Sequence, residues 1–237
     1  MALPKLNNTP YYDVTIPSTG EKAKYRPYLV KEEKVLLMAS ESESESEIGN
    51  AILDVICQCV EGVQRDKITS YDMEYLFLKL RAKAVGESTD ILFPCNSCEK
   101  DTEVKVKIDD VELDIPKDKN NMIKLSDDMI LEVKYPTYNN IINDKILASS
   151  ESNIEVMYQT AMLCLDALHV KDERMNFADE PIEDIVEFIG GLTTEQFQKL
   201  SEFANSIPTV KKKLEWKCKH CEAQNSREVT GLLGFFI

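Results

Sequence analysis

The sequence predicts an α+β protein, with helical N-terminal and C-terminal parts around a mostly antiparallel sheet. Three observations carry this expectation. Apolar residues recur at helical spacing early in the chain and again after Pro136. Between Asp90 and Val133 the pattern changes to period-two alternation, the mark of half-exposed strands. Two Cys-x-x-Cys pairs, Cys95-Asn96-Ser97-Cys98 and Cys218-Lys219-His220-Cys221, stand far apart, and two such knuckles can close into a split zinc-ribbon-like element. Four segments follow: 1–87, a β-hairpin plus helices; 88–135, β-rich with the first knuckle; 136–209, helical; and 210–237, the second knuckle hairpin and an apolar tail. The segments 88–135 and 210–237 are expected to form one discontinuous unit.

The hairpin is read from β-rich Tyr11 to Ile16, the turn residues Pro17-Ser18-Thr19-Gly20, and a return from Lys22 to Tyr28. A helix is expected from Lys31 to about Ser40. The tract Glu41-Ser42-Glu43-Ser44-Glu45-Ser46-Glu47 has nothing apolar to bury and reads as a solvated loop. Ile48, Ile52, Val55 and Cys59 mark one amphipathic helix; Met73, Phe77, Leu80 and Ala84 mark the next, with Gly86 able to end it. Val104, Val106 and Ile108 alternate with Lys105 and Lys107, and Met129, Leu131 and Val133 repeat the pattern. Ser152 with Glu155 fits a capping box, followed by a helical stripe of Ile154, Tyr158, Ala161, Leu165 and Leu168. A helix from about Pro181 to Ile189 ends at Gly190-Gly191, and Thr193 with Gln196 caps another that buries Phe197, Leu200 and Phe203.

The 237 residues suffice for a sizeable core. Lys plus Arg is 28 against 42 for Asp plus Glu, a net charge of −14, which repels phosphate backbones and anionic membranes. No apolar run is long enough to span a bilayer, and the first residues lack the basic-then-apolar layout of a secretory signal, so a chain made in the cytoplasm is expected.

In a Cys-x-x-Cys turn, two intervening residues let both sulfurs aim at one point. Two turns supply the four ligands that a structural Zn²⁺ requires, here Cys95, Cys98, Cys218 and Cys221. The contexts match: Glu99 and Glu222 follow the second cysteines, and strand-like runs reach Val104 and Val229. The pairs lie more than a hundred residues apart. Closing a long loop costs only about 0.6 kcal/mol per doubling of length, whereas structural zinc in small peptides contributes about 10–16 kcal/mol. Separation therefore does not exclude one shared site. Two half-sites shared across an oligomer, and cysteines without metal, remain alternatives. A thiol redox pair should open a helix after a strand, and Glu99 to Val106 reads as strand instead. His220 is expected to point out of its turn, and Cys59 and Cys164 to pack in cores.

An enzyme has little support: neither histidine sits in a recognisable motif, no Gly-rich phosphate loop exists, and four-cysteine zinc has no open position. The tail residues Leu232, Leu233, Phe235, Phe236 and Ile237 must either pack back on their own hairpin or dock on another subunit.

Several stretches resemble the T4-type phage baseplate hub proteins. They are Leu3-Pro4-Lys5-Leu6, Pro17-Ser18-Thr19-Gly20, Tyr25 to Lys34, Glu74 to Glu87, the first Cys-x-x-Cys, Val133-Lys134-Tyr135-Pro136, and the closing Cys-x-x-Cys with Gly231-Leu232 and Phe235-Phe236. The resemblance implies a non-enzymatic structural or assembly protein of a contractile tail, located in the virion baseplate. Its partners would be other tail and hub proteins, with no nucleic acid, membrane or small-molecule substrate. A zinc-ribbon nucleic-acid binder is the reading from another class; Lys211-Lys212-Lys213, Trp216, Lys217 and Lys219 form the basic cluster it would use.

Overall fold

A computed structural model describes residues 9–42, 44–116, 120–144, 147, 152–232 and 234. The chain divides into two compact units. One runs up to Asp114 and resumes at Thr209; the other is Ile115–Pro208. Among the described residues the architecture is α+β, with seven helices and antiparallel sheets throughout.

The first unit opens with a hairpin of β1 (Tyr12–Thr15) and β2 (Lys22–Tyr25), paired Tyr12 to Tyr25 and Thr15 to Lys22. Gly20 takes φ +74° in its turn, a conformation glycine adopts without steric cost. The return strand ends at Tyr25, ahead of Pro27, whose ring could not donate to the ladder. Helices α1 (Val30–Ser40), α2 (Glu45–Cys59) and α3 (Ser70–Ala84) follow. Leu53 and Ile56 of α2 and Leu76 and Leu80 of α3 are fully buried, so these two helices form the core. Thr69 and Asp72 close a reciprocal capping box at the start of α3.

Two hairpins complete the unit. Strands β3 (Ser88–Pro94) and β4 (Asp101–Lys107) pair antiparallel, with Val104 and Val106 inward and Lys105 and Lys107 outward. Strands β10 (Val210–Lys217) and β11 (Gln224–Thr230) pair likewise, and β10 also takes the short β5 (Glu112–Leu113) on its other edge.

The second unit is a four-stranded sheet in the order β6 (Met122–Lys124), β7 (Met129–Val133), β8 (Leu165–Val170), β9 (Glu173–Asn176). Its helices are α4 (Tyr138–Ile142), α5 (Asn153–Leu163), α6 (Ile182–Gly190) and α7 (Thr194–Asn205). Leu131, Val133, Ala161, Cys164, Leu165, Ile189 and Leu200 share its core.

The structure differs from the sequence reading at three places. The apolar stripe expected to continue as helix through Leu165 and Leu168 breaks at Cys164, and Leu165–Val170 is strand β8. Its backbone pairs with β7 and β9 on both sides, and the register shift between Glu132 and Val133 sets Leu165 and Leu168 opposite the buried Val133 and Leu131, so a helix-like spacing is accommodated in a strand. Segment 136–209 therefore contributes two strands; β7 pairs with β8 and carries β6 on its other edge, so neither β6 nor β7 joins the knuckle hairpins. The Glu-Ser tract is not loop throughout: the Ser44 hydroxyl accepts from the Glu47 N–H at 3.4 Å, and α2 begins at Glu45. Glu45 and Glu47 thus sit in the first turn, where the helix dipole favours them.

Candidate metal centre

The two Cys-x-x-Cys turns are built alike. In the first, the Cys95 N–H donates to the Lys100 carbonyl at 3.1 Å and the Glu99 N–H to the Cys95 carbonyl at 2.9 Å. In the second, Cys218 N–H donates to Ala223 at 2.9 Å and Glu222 N–H to Cys218 at 3.1 Å. Glu99 and Glu222 adopt φ of 58° and 62°, a left-handed conformation that costs a non-glycine residue about 1–2 kcal/mol. The strand pairs on either side hold both turns in it. A constant offset of 218 − 95 = 123 relates the two hairpins. It carries Phe93 onto Trp216, and their rings meet with centroids 5.2 Å apart.

The turns bring Cys95, Cys98, Cys218 and Cys221 together, with all four sulfurs within 4.8 Å of one another. Cys95 Sγ lies 3.6 Å from Cys221 Sγ, and Cys98 Sγ lies 3.7 Å from Cys218 Sγ. The same offset exchanges these two contacts, so the cluster has an approximate two-fold axis. A tetrahedron of thiolates bonded at zinc's usual length of about 2.3 Å has edges of ~3.8 Å, so the donor set fits a soft divalent ion. All seven cysteines are free, and the cross-turn sulfur separations are far longer than a disulfide bond. Among the described residues this is the one cluster of three or more His, Cys, Asp or Glu side chains placed to share an ion.

Hydrogen bonds converge on the inner sulfur of each turn. Cys95 Sγ accepts from the Ser97 N–H at 3.4 Å and the Asn225 amide at 3.5 Å. Cys218 Sγ accepts from the His220 N–H at 3.4 Å and the Thr102 hydroxyl at 3.6 Å. These donors favour thiolate. The Cys218 thiol falls to about 5, drawn down first by the His220 N–H and then, against burial, by the Cys221 N–H and Thr102. The Ser97 and Cys98 N–H groups lower Cys95 as well. Cys221 goes the other way, to about 12: the Ala223 N–H lowers it, but the crowded sulfurs of Cys98, Cys95 and Cys218, with burial, prevail. A cation entering the cluster would displace that proton, as metal binding to thiols requires.

His220 stays out of the cluster; it is exposed, with Nε2 3.2 Å from the Asp101 carbonyl oxygen. Cys59 and Cys164 are buried, and burial pushes their thiols up to about 11 and about 12, as expected of inert core residues. In the tail, Leu232 is buried in its own unit and its N–H donates to Glu74 Oε1 at 3.3 Å. Leu233, Phe235, Phe236 and Ile237 lie outside the described residues. Sequence reasoning missed Thr102, Asn225 and Glu74. The first two each lie four residues beyond a second cysteine, a repeat that the offset could have exposed.

A family model described as T4 bacteriophage base plate protein matches residues 9–237. The chain belongs to that family. The family-level resemblance read from the sequence is thereby borne out over essentially the whole baseplate chain. Nothing among curated proteins or solved structures matches it. The T4-type baseplate assignment places the protein in the phage tail as a baseplate component acting with other baseplate proteins. Among the described residues of this baseplate protein, no helix is long and apolar enough to cross a membrane.

Proposed function

We propose that this baseplate protein is a non-enzymatic hub component, either a subunit or an assembly factor, whose fold is clasped by one structural Zn²⁺. Family membership over residues 9–237 is the observation that carries the role. The zinc reading rests on the four converging sulfurs. Cys95, Cys98, Cys218 and Cys221 would complete a tetrahedron, leaving no position for a substrate or a reactive water. The ion would supply cross-linking, tying the β3–β4 hairpin to the β10–β11 hairpin. Phage synthesis in the host cytoplasm suits thiols that meet a metal before an oxidant. The tail from Leu232 to Ile237 remains the proposed contact with other hub proteins through Leu233, Phe235, Phe236 and Ile237; Leu232 anchors it.

The nucleic-acid reading loses support at the basic cluster. Lys211 pairs with Asp114, Lys213 with Glu215 at 2.8 Å, Lys217 with Glu222 at 3.0 Å, and Lys219 with Glu103 at 3.8 Å. Trp216, which a stacking face would need exposed, is buried against Phe93. The redox reading loses support because β4 and β11, not helices, follow the two turns.

Two measurements test the proposal. Metal analysis of the purified chain should find one zinc per molecule, and mass spectrometry of purified tails, with pull-down from infected cells, should recover the chain with hub proteins. A chain free of zinc overturns the metal reading. Recovery with outer baseplate proteins alone overturns the hub reading.

A further inference from the structure

Thr102 and Asn225 are polar side chains in places that otherwise bury apolar ones. Along β4, Thr102, Val104 and Val106 point inward in succession. Thr102 is 2% exposed and Asn225 is 5% exposed. Each stands opposite an aromatic in its hairpin, Thr102 across from Phe93 and Asn225 across from Trp216. Burying a hydroxyl or an amide costs free energy unless it finds a partner. Here the partners are sulfurs, and each residue reaches across to the opposite turn. The Thr102 hydroxyl donates to Cys218 Sγ, and the Asn225 amide donates to Cys95 Sγ. Asn225 also accepts from the Asn96 N–H at 2.9 Å and donates to the Ala223 carbonyl at 3.0 Å, so it additionally braces both turns.

The geometry points to Thr102 and Asn225 as positioning residues of the metal centre: each delivers a hydrogen bond across the approximate two-fold axis to the inner sulfur of the other turn, and so governs how tightly the ion is held. The inference rests on the zinc reading above and adds to it. Four thiolates around a divalent ion carry excess negative charge in a partly buried place. Backbone N–H groups relieve each inner sulfur from within its own turn. Thr102 and Asn225 relieve it from the other hairpin, so their bonds form only when both turns have met. They therefore couple retention of the ion to the docking of the hairpins. Outer-shell partners of this kind typically change metal affinity by about 10–100-fold.

The test uses the full chain with zinc and with Co²⁺ as a spectroscopic probe. Thr102→Val keeps the shape and removes only the hydroxyl; Thr102→Ser restores it. Thr102→Val should lower zinc affinity at least about 10-fold in competition with a chromophoric chelator. It should also move the sulfur-to-cobalt charge-transfer band to longer wavelength, because a sulfur without its donor is richer in electrons. Thr102→Ser should match the parent in both measurements. Asn225→Leu should act in the same direction, and if its lost backbone bonds prevent folding the Thr102 series decides alone. The inference fails if Thr102→Val holds zinc as tightly as the parent with an unmoved band. It fails equally if Thr102→Val destabilises the metal-free chain as much as the zinc-loaded one, since the residue would then be packing only. A parent that binds neither ion overturns the zinc reading itself, a result distinct from both.

Discussion

Replacing Glu74 by leucine should loosen the joint between helix α3, the start of β10 and the tail. The Glu74 carboxylate accepts from the Thr209 hydroxyl and the Val210 N–H, both at 2.9 Å, and from the Leu232 N–H at 3.3 Å. Val210 and Leu232 are only 1% and 4% exposed, so water cannot easily take over. Each buried donor left without an acceptor costs about 1–3 kcal/mol. Leucine also relieves the burial of a carboxylate, which offsets part of that, and a net loss of about 2–4 kcal/mol is expected. Burial pushes the Glu74 carboxyl above its ordinary 4.5, against the Val210, Thr209 and Leu232 hydrogen bonds. The folded state then holds this proton more tightly than the unfolded chain. Its contribution to stability is fully present below the unfolded value and is lost as pH rises through the raised folded value. Glu74→Gln retains a carbonyl acceptor and cannot titrate. The stability difference between the parent and Glu74→Gln should accordingly shift against the parent as pH rises above 4.5. Urea unfolding followed through the emission of Trp216, the sole tryptophan, measures both effects in the right unit. A Glu74→Leu midpoint within experimental error of the parent would refute the reasoning, as would a parent-to-glutamine difference that does not change with pH.

Two further outcomes are expected. Removing metal with a chelator, or substituting Cys98→Ser, should move Trp216 emission to the red and lower the thermal stability of the first unit, while the second unit's helical signal persists; unchanged emission would argue against a clasp at this position. Glu32, 2% exposed, is paired with Arg26 at 2.9 Å and caps α1 through the Leu29 N–H, so Glu32→Ala should cost about 2–3 kcal/mol by removing the cap and the charge partner of a guanidinium that keeps only the Pro27 and Gln58 carbonyls. Burial raises the Glu32 carboxyl, but Arg26, the Leu29 N–H and Lys31 outweigh it and hold it below 4.5. Its contribution is therefore present above the unfolded value and lost as pH falls through the lowered one, which acid titration of parent and Glu32→Gln would reveal.

What could be read from the sequence was local. The β1–β2 hairpin announced itself through Gly20 and its flanking strands, α2 and α3 through one apolar face each, and the turns through Cys-x-x-Cys. Strand β8 was misread because Leu165 and Leu168, three residues apart, have helix spacing, and only the register shift in the pairing with β7 sets both opposite buried residues of a sheet. Ser44 escaped notice because a cap is defined by the helix behind it, and the Glu-Ser tract obscured where that helix starts. Thr102 and Asn225 left only the repeat of their positions after the two turns as a signal, and Glu74 left none. Their partners lie more than a hundred residues away, and no local pattern distinguishes a threonine that reaches a sulfur from one that packs in a strand.

The hydrogen bond from Asp114 N–H to the Thr209 carbonyl, 3.3 Å long, closes the first unit where the chain leaves it and comes back. Residues 115–208 are thus a cassette inserted between neighbouring ends, and a short flexible bridge in their place should still let β5 lie along β10. During synthesis the second Cys-x-x-Cys turn emerges well over a hundred residues after the first, with residues 115–208 made in between. On the zinc reading proposed above, an ion could be shared by both turns only after the intervening cassette has been made, so its capture would mark the meeting of the first unit's two halves.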